Sequence, residues 1–172
     1  MNKRILVTYA TCTGCTSGVA DEIGKTLAED GTAVDVKPMK EVTNLEAYSA
    51  VVAGSAVQAS AWLPEAVEFI RVNQKTLSQK KVALFTVCMT LAMRDGEKYR
   101  SFVADFVKPL RDMVKPVSEA QFAGWLDIAK VPSASERAKF RISVLMGVWK
   151  TGDHRNWDAI KSWAALVKPQ LA

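Results

Sequence analysis

Short apolar runs alternate with amphipathic segments along most of the chain. Mostly apolar or alternating residues predict five strands, at residues 3–9, 32–37, 50–53, 81–88 and 121–128. Apolar residues three or four positions apart predict helices at residues 18–29, 97–113 and 157–167. Pro64 opens a further helix, because the first helical position needs no N–H donor.

The order of these elements predicts the fold class. Strands alternating with helices are typical of an α/β protein, and we expect a five-stranded doubly wound parallel sheet with helices on both faces. The length of 172 residues and the lack of internal repeats favour a single domain over residues 1–172. Ligands of such sheets lie outside the carboxyl ends of the strands. The loops after the first, third and fourth strands should therefore form the site.

Composition narrows the class of protein. Three cysteines are too few for a disulfide scaffold and indicate reduced thiols. No apolar run approaches the roughly 20 residues that cross a bilayer, so we expect a cytoplasmic protein. The net charge of +5 favours acidic partners or an anionic surface but does not by itself indicate nucleic-acid binding, and we expect none. With one histidine, His154, we expect no metal site.

The segment between the first strand and the first helix is rich in hydroxyl groups. It contains three threonines, small residues and a glycine, in the run Thr11, Cys12, Thr13, Gly14, Cys15 and Thr16. Backbone N–H groups and hydroxyls gathered at a helix start bind anions, most often phosphate. The loop has no lysine, which excludes the nucleotide-triphosphate loop. The alternative is a Thr/Gly-rich turn without a ligand.

This loop resembles the phosphate-loop signature of the flavodoxin family. The matching positions are Val7, Tyr9, Thr11, Gly14, Thr16, Ala20 and Ile23. Thr8 departs from the signature, because the family usually has an aliphatic or aromatic residue there. The resemblance implies a flavodoxin-like fold with bound FMN. The threonine hydroxyls and the N–H groups of residues 12–16 would then bind its phosphate.

The resemblance also assigns roles to the two later loops. After the third strand it implies contacts from Ser55, Ala56, Val57, Gln58 and Trp62, and after the fourth from Val87, Cys88, Met89 and Thr90. Trp62 either stacks on the isoalloxazine ring or is a core residue before the Pro64 helix. The fourth-strand loop lacks the aromatic that flavodoxins place over the outer flavin face. That face is either covered by Met89 or Met93 or open to a substrate.

Two further features leave alternatives open. Cys12 and Cys15 form a C-x-x-C motif, which indicates either a redox pair of depressed pKa or, as we favour, small residues whose N–H groups matter. Asp153 or Asn156 would cap the last helix, with His154 beside it.

Residues 136–150 have a basic start followed by an apolar run. They resemble the insertion of long flavodoxin-like proteins that include the quinone-dependent protoporphyrinogen oxidase of bacteria. They indicate a lid, a docking surface, an interfacial helix at the inner face of a membrane, or a helix packed on the core, which we slightly favour.

Three functions follow. We expect an FMN-binding flavodoxin-like protein that carries electrons to a redox partner protein. The second is a flavoenzyme oxidase of the protoporphyrinogen type that passes electrons to quinone, and the third is a binding module without flavin. No residue is a convincing acid or base, so no catalytic group is assigned.

Overall fold

The computed structural model describes residues 4–172. Its strands are β1 (Arg4–Ala10), β2 (Ala33–Pro38), β3 (Ala50–Gln58), β4 (Ala61–Trp62), β5 (Lys81–Val87), β6 (Ser118–Phe122), β7 (Trp125–Leu126) and β8 (Gly152–Asp153). Its α-helices are α1 (Cys15–Ala28), α2 (Pro64–Val72), α3 (Gln74–Leu77), α4 (Arg100–Asp105), α5 (Lys108–Val114), α6 (Ala134–Leu145) and α7 (Trp157–Val167). Short 3₁₀ turns fill several of the connections.

Five parallel strands form the main sheet in the order β2-β1-β3-β5-β6. The short β4 folds back antiparallel on β3, and β7 pairs with β8 in a separate two-stranded ladder. The expected α/β class and doubly wound parallel sheet are therefore confirmed. Among residues 4–172, no helix combines the length and the apolar character that spanning a membrane requires.

The core lies in two layers, one on each face of the sheet. Side chains alternate along β1, so that Leu6 packs in the layer under α2 and α5 while Val7 packs in the layer under α1 and α7. Ile23 and Ile160 bring the two helices of the second layer onto the sheet. This arrangement confirms helices on both faces.

Several predicted boundaries were wrong. The first helix begins at Cys15 instead of residue 18, because Gly14 adopts a φ of 85° and starts the helix directly after it. The third strand runs to Gln58 instead of ending at residue 53, because its continuation pairs with β1 and β5 as far as Ala56 and then with β4. Residues 55–58 therefore lie in a strand. The predicted start of the first strand at Lys3 lies outside the described residues.

The predicted helix at 97–113 and the predicted strand at 121–128 are each divided. Pro109 lies in the first turn of α5 and has no N–H for the carbonyl of Asp105, the residue at which α4 ends. The fifth parallel strand spans Ser118–Phe122 and pairs with β5 as far as Val87. Beyond that point Trp125 and Leu126 have no parallel partner and pair with β8 instead.

Candidate functional site

A cavity of about 410 Å³ lies at the carboxyl ends of β1, β3 and β5, which is where an open parallel sheet binds its ligands. We call it the strand-end cavity. Of the predicted site residues it is lined by Thr11, Cys12, Thr13, Cys15, Thr16, Ala56, Val57, Gln58, Val87 and Met89. The structure therefore brings together residues from all three of the predicted loops. The opposite wall comes from residues 124–140.

Residues 11–16, the hydroxyl loop, leave the start of α1 without a side-chain cap. The Gly14 N–H donates to Thr11 Oγ1 at 3.1 Å, and the Ser17 hydroxyl donates to the Gly14 carbonyl at 2.7 Å. Gly14 itself offers no side chain to the first turn, and that turn contains no acidic residue. The first N–H groups of a helix need acceptors, and the helix dipole favours a negative one. The loop therefore has the donors and the polarity of an anion site.

Thr16 provides an independent indication of a ligand. Its side chain is fully buried and lines the strand-end cavity, but its Oγ1 has no hydrogen-bond partner among the described residues. A buried hydroxyl without a partner costs about 1–3 kcal/mol. A phosphate in the hydroxyl loop would give this hydroxyl an acceptor, so the residues present fit the phosphate group of FMN.

The side chain of Arg155 contacts the first turn of α1. Its guanidinium forms two bonds to the Asp153 carboxylate, at 2.8 and 2.6 Å, and donates to the Cys15 carbonyl at 3.3 Å. The same group lies 4.4 Å from the centre of the Trp157 ring. A Cβ at Gly18 would come within 2.6 Å of Arg155 Nη1, so a side chain at this position would displace the end of the arginine. Arg155 thus joins the hydroxyl loop to the β7–β8 ladder.

Trp125 and Phe140 are the aromatic residues that line the strand-end cavity, and Trp125 is the one that contacts the hydroxyl loop. It lies on β7 after the edge strand, is partly exposed, and its backbone N–H donates to Cys15 Sγ at 3.0 Å. Lys130 Nζ lies 4.4 Å and the Arg155 guanidinium 5.5 Å from the centre of its ring. The prediction of an unbroken strand to residue 128 concealed this site residue. The only signal in the sequence is Gly124, which marks a bend directly before the tryptophan.

Burial dominates the electrostatics of the two loop cysteines. It raises the pKa of Cys12, and Glu65 adds to that effect. It also raises the pKa of Cys15, although the Trp125 N–H and Arg155 partly offset the rise. Both residues are free thiols, and the depressed pKa expected of a redox pair is wrong for this geometry.

Five predicted site residues do not line the strand-end cavity. They are Gly14, Ser55, Trp62, Cys88 and Thr90. Trp62 is only 2% exposed, and its indole N–H donates to Thr86 Oγ1 at 2.9 Å, so the structure supports the core alternative over stacking on a ligand. Ser55 Oγ is buried and accepts the Leu63 N–H at 3.1 Å, which fixes the β3–β4 hairpin.

The segment before α7 has the expected capping residue. Asn156 Oδ1 accepts the Ala159 N–H at 3.0 Å and caps α7. His154 Nε2 lies 2.8 Å from the Lys150 carbonyl oxygen. Within residues 4–172, no three His, Cys, Asp or Glu side chains are placed to hold a metal ion together.

The segment at 136–150 does not pack on the core. It forms most of α6 and the turn after it, and α6 contains no buried residue. Glu136 and Phe140 instead line the strand-end cavity. The interpretation as a core-packed helix is therefore wrong, and α6 borders the site.

Comparison with known proteins agrees with this geometry. A family model described as the flavodoxin domain matches residues 6–155. A search of curated proteins found no match.

Similar solved structures include a flavodoxin from the domain Archaea, with a TM-score of 0.56, 15% identity and coverage of 98% of both chains. A Streptococcus pneumonia flavodoxin gives a TM-score of 0.60 at 14% identity and covers 97% of this chain and 99% of that chain. Rubredoxin oxygen:oxidoreductase from Desulfovibrio gigas gives 0.60 at 11%, with 99% of this chain matched to 37% of that chain. At these identities the structures show a shared fold.

Proposed function

This chain belongs to the flavodoxin-domain family, and from that premise we propose that it binds FMN and carries electrons for a redox partner protein. The family makes it a flavodoxin-like redox protein. The identity of the cofactor and the carrier role are our proposal. When bound, FMN supplies a ring system that accepts and releases electrons.

The partnerless Thr16 hydroxyl carries this proposal. It lies in the first turn of α1, lines the strand-end cavity and has no acceptor within the described chain. Thr11 and Thr13 line the same cavity, so their hydroxyls and the uncapped N–H groups of α1 would complete a phosphate site without a lysine.

The remaining cavity wall suits a flat, largely apolar ring. Val57, Val87 and Met89 line one part of it, and Trp125 lines another. Aromatic rings stack favourably in offset or edge-to-face arrangements, so Trp125 is the side chain that we assign to contact with the isoalloxazine. It takes the place of the aromatic that was missing from the loop after β5.

A second candidate is an oxidase that passes electrons from a tetrapyrrole of the protoporphyrinogen type to quinone. The observation that favours it is the wall contributed by α6 and the segment before it, where Val131, Pro132 and Phe140 enlarge the apolar side of the cavity. The positive net charge would attract a carboxylated substrate. In this case quinone replaces the partner protein as the electron acceptor.

A flavin titration tests the proposal. Any cofactor that co-purifies with the protein is first removed. The protein is then titrated with FMN and, separately, with riboflavin, and the flavin fluorescence is followed. We expect FMN to bind at least about tenfold more tightly, because each hydrogen bond to a charged group contributes about 1.5–3 kcal/mol. Equal affinities would reject the phosphate assignment. Protein that binds no FMN even at excess FMN would favour the binding module without flavin.

A turnover assay separates the two redox candidates. A carrier exchanges electrons with a flavin reductase but does not consume protoporphyrinogen. An oxidase consumes protoporphyrinogen when a quinone analogue is present. Consumption of this substrate would replace the carrier proposal with the second candidate.

A further inference from the structure

The strand β6 lies at one edge of the main sheet and pairs only with β5. In a parallel sheet, successive residues of a strand direct their backbone N–H and C=O groups to opposite neighbours. The Phe122 carbonyl accepts the Cys88 N–H at 2.9 Å, so the backbone groups of Phe122 face β5. Those of Glu119 and Gln121 therefore point away from the sheet. Within residues 4–172 they have one partner there, Arg100, whose Nη1 donates to the Gln121 carbonyl at 3.2 Å.

A groove of about 500 Å³ runs along this open edge, and we call it the edge groove. Residues 119–123 form its floor. Its two sides come from the connection between β5 and β6 and from the segment that starts α7, with the residues Leu91, Glu97, Arg100, His154, Asn156 and Ala159. No residue lines both the edge groove and the strand-end cavity. The edge of β6 is therefore recessed between two walls, apart from the site described above.

The side chain of Gln121 gives an independent indication that the edge groove binds a ligand. Its Oε1 is buried and has no hydrogen-bond partner among the described residues, and Gln121 lines the groove. A buried acceptor without a donor is costly, because it has lost water and gained nothing in exchange. The groove thus combines free backbone N–H and C=O groups with an amide oxygen that needs a donor.

Charge and shape select the occupant of the edge groove. Glu97 is held by Arg100, with bonds of 2.5 and 2.8 Å. Glu119 is held by Arg111, with bonds of 2.6 and 2.7 Å. Since these charges cancel in pairs, the groove is complementary to an uncharged ligand. An extended peptide supplies donors and acceptors at the spacing of a strand. A second copy of this chain has an equally recessed edge, so the walls of the two grooves would meet before the two strands could pair.

We propose that the edge groove binds an extended, uncharged segment of a partner polypeptide, which adds to β6 as an antiparallel strand. Residues directly opposite each other in an antiparallel pair have their side chains on the same face. The residue opposite Gln121 should therefore have a side chain that donates a hydrogen bond, such as serine or threonine. Its neighbours in the segment lie on the face of Ala120 and Phe122, which pack in the apolar layer under α7, so small apolar residues fit there. This site does not depend on the proposed flavin function.

A synthetic peptide that alternates threonine with valine tests the proposal. N-methyl groups on its valines prevent the peptides from pairing with one another, and lysines at both ends keep it in solution. NMR spectra of the isotope-labelled full chain, with and without FMN, follow the binding. We expect the peptide to shift the amide signals of Glu119 and Gln121 and to slow their hydrogen exchange, and to leave β2 at the opposite edge unchanged. A control peptide with N-methyl groups on its threonines as well cannot pair and should not bind.

Variants separate the backbone contact from the side-chain contact. Gln121→Pro removes an outward N–H and the side-chain amide but no ladder bond to β5, and it should weaken peptide binding roughly 25-fold, at about fivefold for each lost hydrogen bond. Gln121→Met removes only the amide, so it should weaken binding about fivefold and raise the unfolding midpoint of the free protein. Arg100→Ala frees the Gln121 carbonyl and should strengthen binding. Its matched control, Arg71→Ala, breaks the similar pair with Glu68 on α2 and should change nothing.

Three results would overturn the proposal. The first is a peptide that leaves the amide signals of Glu119 and Gln121 in place or shifts only those of the strand-end cavity. The second is equal binding of the control peptide, or of the parent and Gln121→Met. The third is a dimer in sedimentation that Gln121→Pro abolishes, which would assign the groove to a second copy of this chain.

Discussion

Replacing Thr16 by valine should have opposite effects on the protein with and without its ligand. Valine has nearly the shape of threonine but lacks the hydroxyl. Without flavin, Thr16 Oγ1 is buried and has no partner among the described residues. With FMN bound, we expect it to donate to the phosphate. The substitution therefore removes a cost from one state and a hydrogen bond from the other.

The magnitudes follow from these two environments. Removing a buried hydroxyl without a partner should stabilise the flavin-free protein by about 1–3 kcal/mol, less any loss in packing. For a chain of this size, each kcal/mol raises the midpoint of thermal unfolding by about 2–4 °C. A lost hydrogen bond to a charged phosphate costs about 1.5–3 kcal/mol, which weakens FMN binding roughly 10- to 150-fold.

A matched control comes from the neighbouring strand. Thr8 is also fully buried, and its Oγ1 also has no partner within residues 4–172, but it does not line the strand-end cavity. Thr8→Val should therefore raise the unfolding midpoint without changing the dissociation constant of FMN. The two variants together separate the cost of burial from the contact with the ligand.

Thermal unfolding of the flavin-free variants and fluorescence titration with FMN measure both quantities. Riboflavin titrations add a test of location, because Thr16→Val should leave riboflavin affinity nearly unchanged. If Thr16→Val binds FMN as tightly as the parent, the hydroxyl does not contact the phosphate and the reasoning is refuted. A lower unfolding midpoint for the flavin-free variant would show that the hydroxyl has a partner.

Three further outcomes are expected. Arg155→Lys loses the paired bonds to Asp153 and should weaken FMN binding more than riboflavin binding. As a control, Arg111→Lys breaks a similar pair far from the cavity and should change the affinity for neither flavin. Titrations with both flavins check these outcomes. Trp125→Ala should weaken FMN and riboflavin binding equally and leave bound flavin more fluorescent, and unchanged affinities would remove the ring contact. The bond from Arg155 holds the pKa of Asp153 below its ordinary value, so this pair stabilises the fold above the unfolded pKa and the stabilisation is lost as pH falls through the folded pKa. Unfolding midpoints between about pH 4 and pH 2 should therefore fall more steeply for the parent than for Asp153→Asn.

The fold was predictable because its signals are local. The strands β1, β3 and β5 are buried on both faces, and a strand of this kind is recognised from its own continuous apolar run. The hydroxyl loop was predictable for a similar reason, since its composition and its position before a helix lie within a few residues of each other. Both features therefore appear in the sequence without knowledge of the tertiary structure.

The errors concern contacts between distant residues. Trp125 lies within residues 121–128, which the sequence predicts as a single strand, and only its pairing with Asp153 shows that it leaves the sheet. Trp62 introduces a helix next to a predicted site loop, and only the bond to Thr86 shows that it lies in the core. Arg155 is 140 positions from the carbonyl that it contacts, so no local pattern could have assigned it to the hydroxyl loop.

The ladder between β7 and β8 makes part of this protein modular. Trp125 pairs with Asp153 and Leu126 with Gly152. The two ends of the segment 127–151 are therefore held next to each other by this ladder. A segment anchored in this way can be lengthened, shortened or exchanged at a modest entropic cost, which grows slowly with loop length. Related proteins could therefore acquire new substrates by exchanging the segment 127–151 while the parallel sheet stays unchanged.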